Sequence, residues 1–227
     1  MPTELKLLCA GAAKGLVHAL APRLRDETGA TVGGRFGAVG AMKEALLAGE
    51  PCDLMVTTET MARELEAEGR LRAGSLVPLG RVRTGVAVRR GTPPPDVCSR
   101  AALAAALAAA DALFVPDTVR STAGQHVARV LDALGLRDAL APRLREYPNG
   151  ATAMAELAAC DAASPIGITQ VTEILYTEGA TLVAPLPAEF ELATVYVAAV
   201  AAGAASPELA ARFIAMLAGE AAAALRA

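Results

Sequence analysis

The chain passes from a strand to a helix at residues 120–126, which read RSTAGQH. Residues 112–115 just before it form a short apolar run, and the apolar positions after it recur with the period of a helix: Val127, Val130, Leu131 and Leu134. The first turn of a helix leaves backbone N–H groups without intrahelical partners and carries partial positive charge. The junction is therefore predicted to be a site for an anion.

Side chains at this junction add further donors. Ser121 and Thr122 supply hydroxyl groups, Gly124 allows a close backbone approach, and Arg120 offers a planar guanidinium that matches a carboxylate. His126 lies one turn into the helix, where a ring that titrates near neutral pH suits proton transfer. The alternative is an ordinary surface helix capped by Ser121 or Thr122, with a solvated arginine and a packed histidine.

Strand-like and helix-like segments alternate from the start of the chain. The predicted strands are residues 5–9, 31–36 and 53–57, and the predicted helices are residues 12–28, 40–47 and 58–68. Such an order predicts an α/β fold with a parallel sheet, whose ligands gather beyond the carboxyl ends of the strands. The loops at residues 11–15, 37–40 and 57–60 are expected to face one crevice.

A second α/β series follows two extended segments, residues 75–80 and 83–89, and a Pro-rich loop. A long apolar strand at residues 193–199 suits burial and is predicted to return to the first sheet. The chain is then expected to form two lobes, one of residues 1–81 with 196–227 and the other of residues 82–195. Lobes joined by two crossings can close on a ligand.

Composition narrows the function. The 227 residues carry a net charge of −3 and no basic run with interleaved aromatics, which argues against nucleic-acid binding, and no stretch is long and apolar enough for a membrane span. Four widely spaced cysteines form no CxxC pair, so neither a metal site nor a cofactor is expected; buried free thiols or two distant disulfides remain open. The apolar run in the first ten residues is too short for the core of a secretory signal. This predicts a cytoplasmic protein, or a periplasmic one whose signal peptide was removed.

Seven segments together resemble a known family. They are GAAK at 11–14, FGAVGA at 36–41, GEPCD at 49–53, RVRTGV at 81–86, STAGQH at 121–126, IGITQVTEI at 166–174 and APLP at 184–187. Their order resembles type II periplasmic solute-binding proteins of the molybdate-binding kind, in the branch that includes bacterial aconitate isomerases, over nearly the whole chain. The resemblance implies a two-lobed fold with a ligand cleft between the lobes, a monomer without cofactor and, if exported, a transporter permease as partner.

The chain departs from the molybdate-binding pattern at the first two loops. Molybdate binders usually carry serines there, whereas this chain has Ala12 or Ala13 in the first loop and Ala38 or Val39 in the second. Losing a hydroxyl donor to a buried anion costs roughly 1–3 kcal/mol. A molybdate or tungstate site is therefore disfavoured, and an elongated carboxylate held by separated cations fits better.

Further candidates for contacts to such an anion lie in other loops. Thr57 and Thr58 end the third strand, Arg83 lies at the crossover, Tyr147 precedes a turn, and Gln170 follows a strand. Arg35 is a further available cation, although strand alternation can turn it outward. Thr58 is also explained as an N-cap, and Tyr147 as part of an ordinary turn.

Two function classes stay open at this point. One is a binding protein that closes on a small di- or tricarboxylate. The other is an isomerase of the aconitate type, in which Lys14, His126 or Glu173 carries a proton from one carbon to another while arginines hold the carboxylates. A lysine or glutamate in a first helical turn is also explained by solvation or by the helix dipole. A molybdate or tungstate carrier is the third hypothesis.

Overall fold

The computed structural model describes residues 3–226. By their internal contacts these residues form two compact units: unit 1 runs to Arg81 and resumes at Thr194, and unit 2 is Val82–Ala193. The chain therefore passes between the units twice. No helix within the described range is long and apolar enough to cross a membrane.

Strands and helices alternate along the chain. The strands are β1 Glu4–Ala10, β2 Thr31–Gly37, β3 Leu54–Thr58, β4 Val77–Arg89, β5 Ala112–Pro116, β6 Leu144–Tyr147, β7 Pro165–Gln170, β8 Ala180–Pro185 and β9 Ala193–Val200. The helices are α1 Lys14–Thr28, α2 Val39–Leu47, α3 Glu59–Ala67, α4 Arg100–Ala109, α5 Thr122–Leu134, α6 Arg137–Leu140, α7 Gly150–Ala159, α8 Val171–Tyr176, α9 Pro207–Ala218 and α10 Ala223–Arg226. The α/β fold class predicted from the sequence is confirmed.

Unit 1 contains a sheet with the strand order β2, β1, β3, β9. Strand β1 pairs in parallel with β2 and β3, while β9 runs antiparallel to β3. On one face Leu7 and Val56 pack with Phe213 of α9, and on the other face Leu8 and Met55 pack with helices α2 and α3. Each fully buried side chain of this size contributes about 1.5–3 kcal/mol.

Unit 2 contains a sheet in which β5 pairs in parallel with β6 and β7, and β4 runs antiparallel to β7 and β8. Val86 and Leu113 pack on the side of α4 and α5, where Leu131 is fully buried. Phe114 packs on the opposite face with Met154 of α7. Both faces are thus covered by helices, as parallel strands require.

Two details differ from the sequence prediction. The two predicted extended segments, residues 75–80 and 83–89, form the single strand β4, which runs from Val77 to Arg89 without a break at Gly80. All four cysteines are free thiols within the described residues, but Cys98 is exposed rather than buried. It lies in the loop before α4, where its backbone N–H donates to the Asp96 carboxylate at 2.9 Å.

Candidate functional site

Three helices of unit 1 begin at one edge of its sheet. Strands β1, β2 and β3 are parallel, so their carboxyl ends meet at the same edge, and each strand is followed by a helix start. A 3₁₀ turn, Gly11–Ala13, leads from β1 into α1. Backbone N–H groups of three first turns therefore gather at this edge, where an anion is favoured.

Two of these helix starts have alanine at the N-cap. Ala13 precedes α1 and Ala38 precedes α2, and neither alanine supplies a side-chain capping bond. At α3, by contrast, Thr58 Oγ1 accepts from the Met61 N–H at 3.4 Å. We call the starts at Ala13 and Ala38 the alanine starts. Alanine brings no side-chain acceptor to either start; at the first, the Lys14 N–H bonds the Gly11 carbonyl of the 3₁₀ turn, so the N–H groups within the turn itself are the candidate donors to an anion.

A buried hydroxyl lies at the end of the neighbouring strand. Thr57 is 1% exposed, and no hydrogen-bond partner within residues 3–226 reaches its Oγ1 atom. Strand alternation places the side chain on the face of Met55, where Met42 of α2 packs. Buried polar groups are nearly always hydrogen-bonded, so this hydroxyl is a candidate ligand donor.

A cationic and aromatic group flanks the first alanine start. Lys14 Nζ lies 6.0 Å from the centroid of the Phe36 ring, and the His18 ring meets the same ring edge to face at 5.1 Å. The sequence prediction included Lys14 and assigned no ligand role to His18 or Phe36. The spacing of four residues between Lys14 and His18 on one helix was the available signal. Arg35, in contrast, forms an ion pair with Glu50 at 2.7 Å.

In unit 2 the start of α5 and the loop before it are held by internal hydrogen bonds. Ser121 Oγ accepts from the Gly124 N–H at 3.3 Å, and Asp117 Oδ1 accepts from the N–H groups of Val119 and Arg120 at 2.8 Å each. A Cβ atom at Gly124 would lie 2.1 Å from the Asp117 carbonyl oxygen, so only glycine permits this close approach. The sequence prediction named the donors here but overlooked the carboxylate of Asp117.

The start of α7 is also capped. Asn149 Oδ1 accepts from the Thr152 N–H at 2.9 Å and from the Thr152 hydroxyl at 3.1 Å. This asparagine belongs to the turn in which sequence reasoning placed a ligand contact. Its side chain therefore satisfies a first-turn N–H group before any ligand does.

Glu173 brings a carboxylate to the same helix start. It is 6% exposed, accepts from the Thr169 hydroxyl at 2.6 Å, and hydrogen-bonds the backbone of Gly150 and Ala151. Burial raises the pKa of the Glu173 carboxyl, while these hydrogen bonds act in the opposite direction. A Cβ atom at Gly150 would lie 2.0 Å from Glu173 Oε2, so the residue there must be glycine.

Gln170 and Thr84 lie where β7 pairs with β4. Gln170 is 2% exposed, and with its amide nitrogen turned toward β4 it donates to the carbonyls of Val82 at 3.3 Å and Arg83 at 3.2 Å. Thr84, its partner in the pairing, is 1% exposed, and no described residue bonds its hydroxyl. Sequence reasoning did not single out Thr84.

His126 and Tyr147 both contact other residues of unit 2. His126 Nε2 lies 2.7 Å from the Phe190 carbonyl oxygen, and burial lowers the pKa of its imidazole. The Tyr147 ring stacks on Phe114 with centroids 6.0 Å apart and an interplanar angle of 7°. Burial raises the pKa of the Tyr147 phenol. Both side chains thus have structural contacts of their own.

Comparison with known proteins places the chain in a family. Residues 5–227 match the family described as "Bacterial extracellular solute-binding protein". The chain belongs to this family. Its fold is that of the periplasmic binding proteins. The molybdate-binding protein of Azotobacter vinelandii superposes with a TM-score of 0.77 at 20% identity, covering 97% of this chain and 95% of that chain.

Two further proteins similar to this solute-binding protein have names that indicate different functions. A sulfate-binding protein of Mycobacterium tuberculosis superposes with a TM-score of 0.73 at 18% identity, covering 97% of this chain and 83% of that chain. A protein of Pseudomonas sp named aconitate isomerase is 26% identical over 214 residues, which cover 92% of this chain and 79% of that protein.

The structure groups the predicted residues of this solute-binding protein by unit. The edge of unit 1 carries seven of them: Ala12, Ala13, Lys14, Ala38, Val39, Thr57 and Thr58. The corresponding edge of unit 2 carries the others: Arg83, Arg120, Ser121, Thr122, His126, Tyr147, Gln170 and Glu173. Arg83 and Arg120 are exposed, whereas Ser121, Gln170 and Glu173 are buried. Their roles toward a ligand stay predictions.

Proposed function

We propose that this solute-binding protein holds a small organic anion, a di- or tricarboxylate. The observation that carries the proposal is the pair of alanine starts with the buried Thr57 hydroxyl beside them. Backbone N–H groups and this hydroxyl supply donors for one carboxylate, and Lys14 supplies charge next to them. If the chain is exported to the periplasm, a transporter permease receives the anion.

The residues at the alanine starts favour a carbon skeleton over a tetrahedral oxyanion. Ala12, Ala13, Ala38 and Val39 are all buried or nearly so, and their side chains present only methyl groups. Molybdate and tungstate have four oxygens that each need donors, and each missing hydroxyl costs roughly 1–3 kcal/mol. A carboxylate directs two oxygens at the donors and leaves its carbon chain against the methyl groups.

Isothermal titration calorimetry of the purified protein tests this proposal. The probes are succinate, citrate, cis-aconitate and trans-aconitate, with molybdate, tungstate and sulfate as the inorganic set. We expect binding by at least one di- or tricarboxylate and heats at the dilution baseline for the inorganic set. Tighter binding of molybdate or tungstate than of every carboxylate contradicts the proposal.

A second candidate function is an isomerase of the aconitate type, supported by the 26% identical relative of that name. Such an enzyme removes a proton from a carbon next to a carboxylate, shifts the double bond, and returns a proton two carbons away. Lys14, His126 and Glu173 are the candidate proton carriers. Glu173 is buried with a raised pKa, a property that suits an acid or base.

Proton NMR in deuterated water separates binding from catalysis. The protein is incubated with cis-aconitate and, in a second sample, with trans-aconitate. Interconversion or deuterium incorporation supports the isomerase, and a Lys14→Met variant without that activity would place Lys14 in it. Binding heat without either signal leaves the protein as a binder of carboxylates.

A further inference from the structure

Lys14 and His18 lie on one side of α1 and share an aromatic neighbour. They are four residues apart, which places them on the same helix face. Lys14 Nζ is 6.0 Å from the Phe36 ring centroid, and the His18 ring lies 5.1 Å from it. Phe36 pairs with Cys9 one residue before the end of β1, so the group begins at the first alanine start and extends along α1.

The two basic groups act on each other. Burial lowers the pKa of the His18 imidazole, and the Lys14 ammonium lowers it further. Like charges at this helical spacing are mutually unfavourable. An anion placed against both groups would remove that repulsion and add attraction to each.

Two arginines on elements next to α1 have carboxylate partners of their own. Strand alternation puts Arg35 on the face of β2 opposite to Phe36, where it bonds Glu50 at 2.7 Å. Helix α9, which packs on α1, carries Glu208 at its start and Arg212, and Arg212 bonds Glu27 near the far end of α1 at 2.8 Å. Lys14 is the charged neighbour that lowers the pKa of His18.

We propose that Lys14, His18 and Phe36 form a subsite for a second carboxylate of the bound anion, set between the ammonium and imidazolium groups against the Phe36 ring. This inference rests on the proposed function, because the first carboxylate takes the adjacent alanine starts. It selects di- and tricarboxylates over monocarboxylates. It also makes His18 the residue that gives binding its dependence on pH.

The sign of that dependence follows from linkage. The second carboxylate raises the pKa of His18 in the complex above its value in the ligand-free protein. The gain in affinity is complete below the ligand-free pKa and is lost as pH rises through the higher pKa of the complex. Between the two values, binding takes up a proton.

Calorimetry with trans-aconitate and with acetate tests the subsite. Each titration is run in two buffers of different ionisation enthalpy, which gives the number of protons taken up on binding. The proton heat of each probe alone is subtracted. For the intact protein we expect proton uptake near neutral pH and an affinity for trans-aconitate about tenfold higher at pH 5.5 than at pH 8. Acetate binding, where detectable, takes up no proton.

Variants assign the effect to single groups. In His18→Gln the exposed ring is replaced by a neutral side chain, and we expect proton uptake and the pH dependence to vanish while binding at pH 8 persists. Lys14→Met is expected to weaken binding at every pH, and Lys6→Met, at the opposite end of β1, to change nothing. Circular dichroism confirms that each variant is folded.

The outcomes separate this inference from the proposed function. If carboxylates bind and His18→Gln keeps the full pH dependence and proton uptake, the subsite is overturned and the proposed function stands. If no carboxylate binds the intact protein at any pH, both are overturned.

Discussion

The two units build the same edge and cap it differently. In each, three parallel strands end together and a helix starts after each strand. Unit 1 has the alanine starts, whereas in unit 2 Ser121 and Asn149 cap their helices and the carboxylates of Asp117 and Glu173 add acceptors. The topology thus creates a potential anion site in both units. The capping residues decide whether the protein's own side chains already bond the first-turn N–H groups.

The largest expected effect comes from capping an alanine start. Ala38→Asp puts a carboxylate at the N-cap of α2, where it competes with a bound anion for the same N–H groups. We expect anion affinity to fall about a hundredfold or more, while the free energy of unfolding rises by up to about 1 kcal/mol. Calorimetry and chemical denaturation measure the two effects.

Ala101→Asp serves as the control, because it adds the same charge at an exposed position in the first turn of α4. Equal affinities of Ala38→Asp and the intact protein would show that the α2 start takes no part in binding, which would break the comparison between the units.

In unit 2 the corresponding change removes an internal cap. Glu173→Ala leaves the Thr169 hydroxyl and backbone N–H groups of α7 without their acceptor, and we expect a loss of about 2–4 kcal/mol in the free energy of unfolding. Glu156→Ala, exposed on the same helix, should change it by less than about 0.5 kcal/mol. A loss equal to that of Glu156→Ala would show that the carboxylate is not needed there.

Glu173→Gln tests the role of this carboxyl through the pH dependence of the free energy of unfolding. The folded protein raises the pKa of Glu173, so the protonated form is favoured in the folded state. The stability contributed by that shift is present below the usual carboxyl pKa and is lost as pH rises through the folded value. Denaturation as a function of pH should therefore show the intact protein losing stability relative to Glu173→Gln; parallel curves would contradict this.

The buried hydroxyls of Thr57 and Thr84 allow a test of both stability and affinity, with smaller expected effects. Thr57→Val is expected to leave the free energy of unfolding unchanged or raise it by up to about 1 kcal/mol, because it removes a buried hydroxyl that lacks a partner in the described structure. Affinity for a carboxylate should fall about tenfold. Thr84→Val should have the same effect on stability and leave affinity unchanged; equal affinity losses in both variants would contradict a special role for Thr57.

The smallest effect is expected at the loop from which the sequence reasoning began. Removing one partner of a buried charge pair would cost roughly 2–5 kcal/mol of binding. The Arg120 side chain is exposed, so we expect Arg120→Ala to lose less than about 1 kcal/mol of binding in calorimetry. A loss above 2 kcal/mol would show that Arg120 becomes buried in the complex.

Much of the fold was predictable from the sequence because its signals are local. The apolar periodicity located β1, α1, β2 and β3. The continuous strand β4 was missed, since the strands that pair with it lie far away in the sequence.

The site was less predictable. Sequence reasoning found the loops at both edges, including Lys14, Thr57 and the residues around Ser121, because strand ends followed by helix starts are visible in the letters. It missed Asp117 and Phe36, and it proposed Glu173 as a proton carrier without its contact to the start of α7. Those contacts join residues from different elements, so local patterns carry little information about them.

By itself the sequence determined the α/β class, the order of strands and helices, and the presence of alanine at two helix starts, because each depends on the identity of neighbouring residues. Only the tertiary structure decided which helix starts are already capped. A capping bond requires an acceptor within hydrogen-bonding distance, and folding, not chain position, brings Glu173 to α7 and Phe36 next to Lys14 and His18.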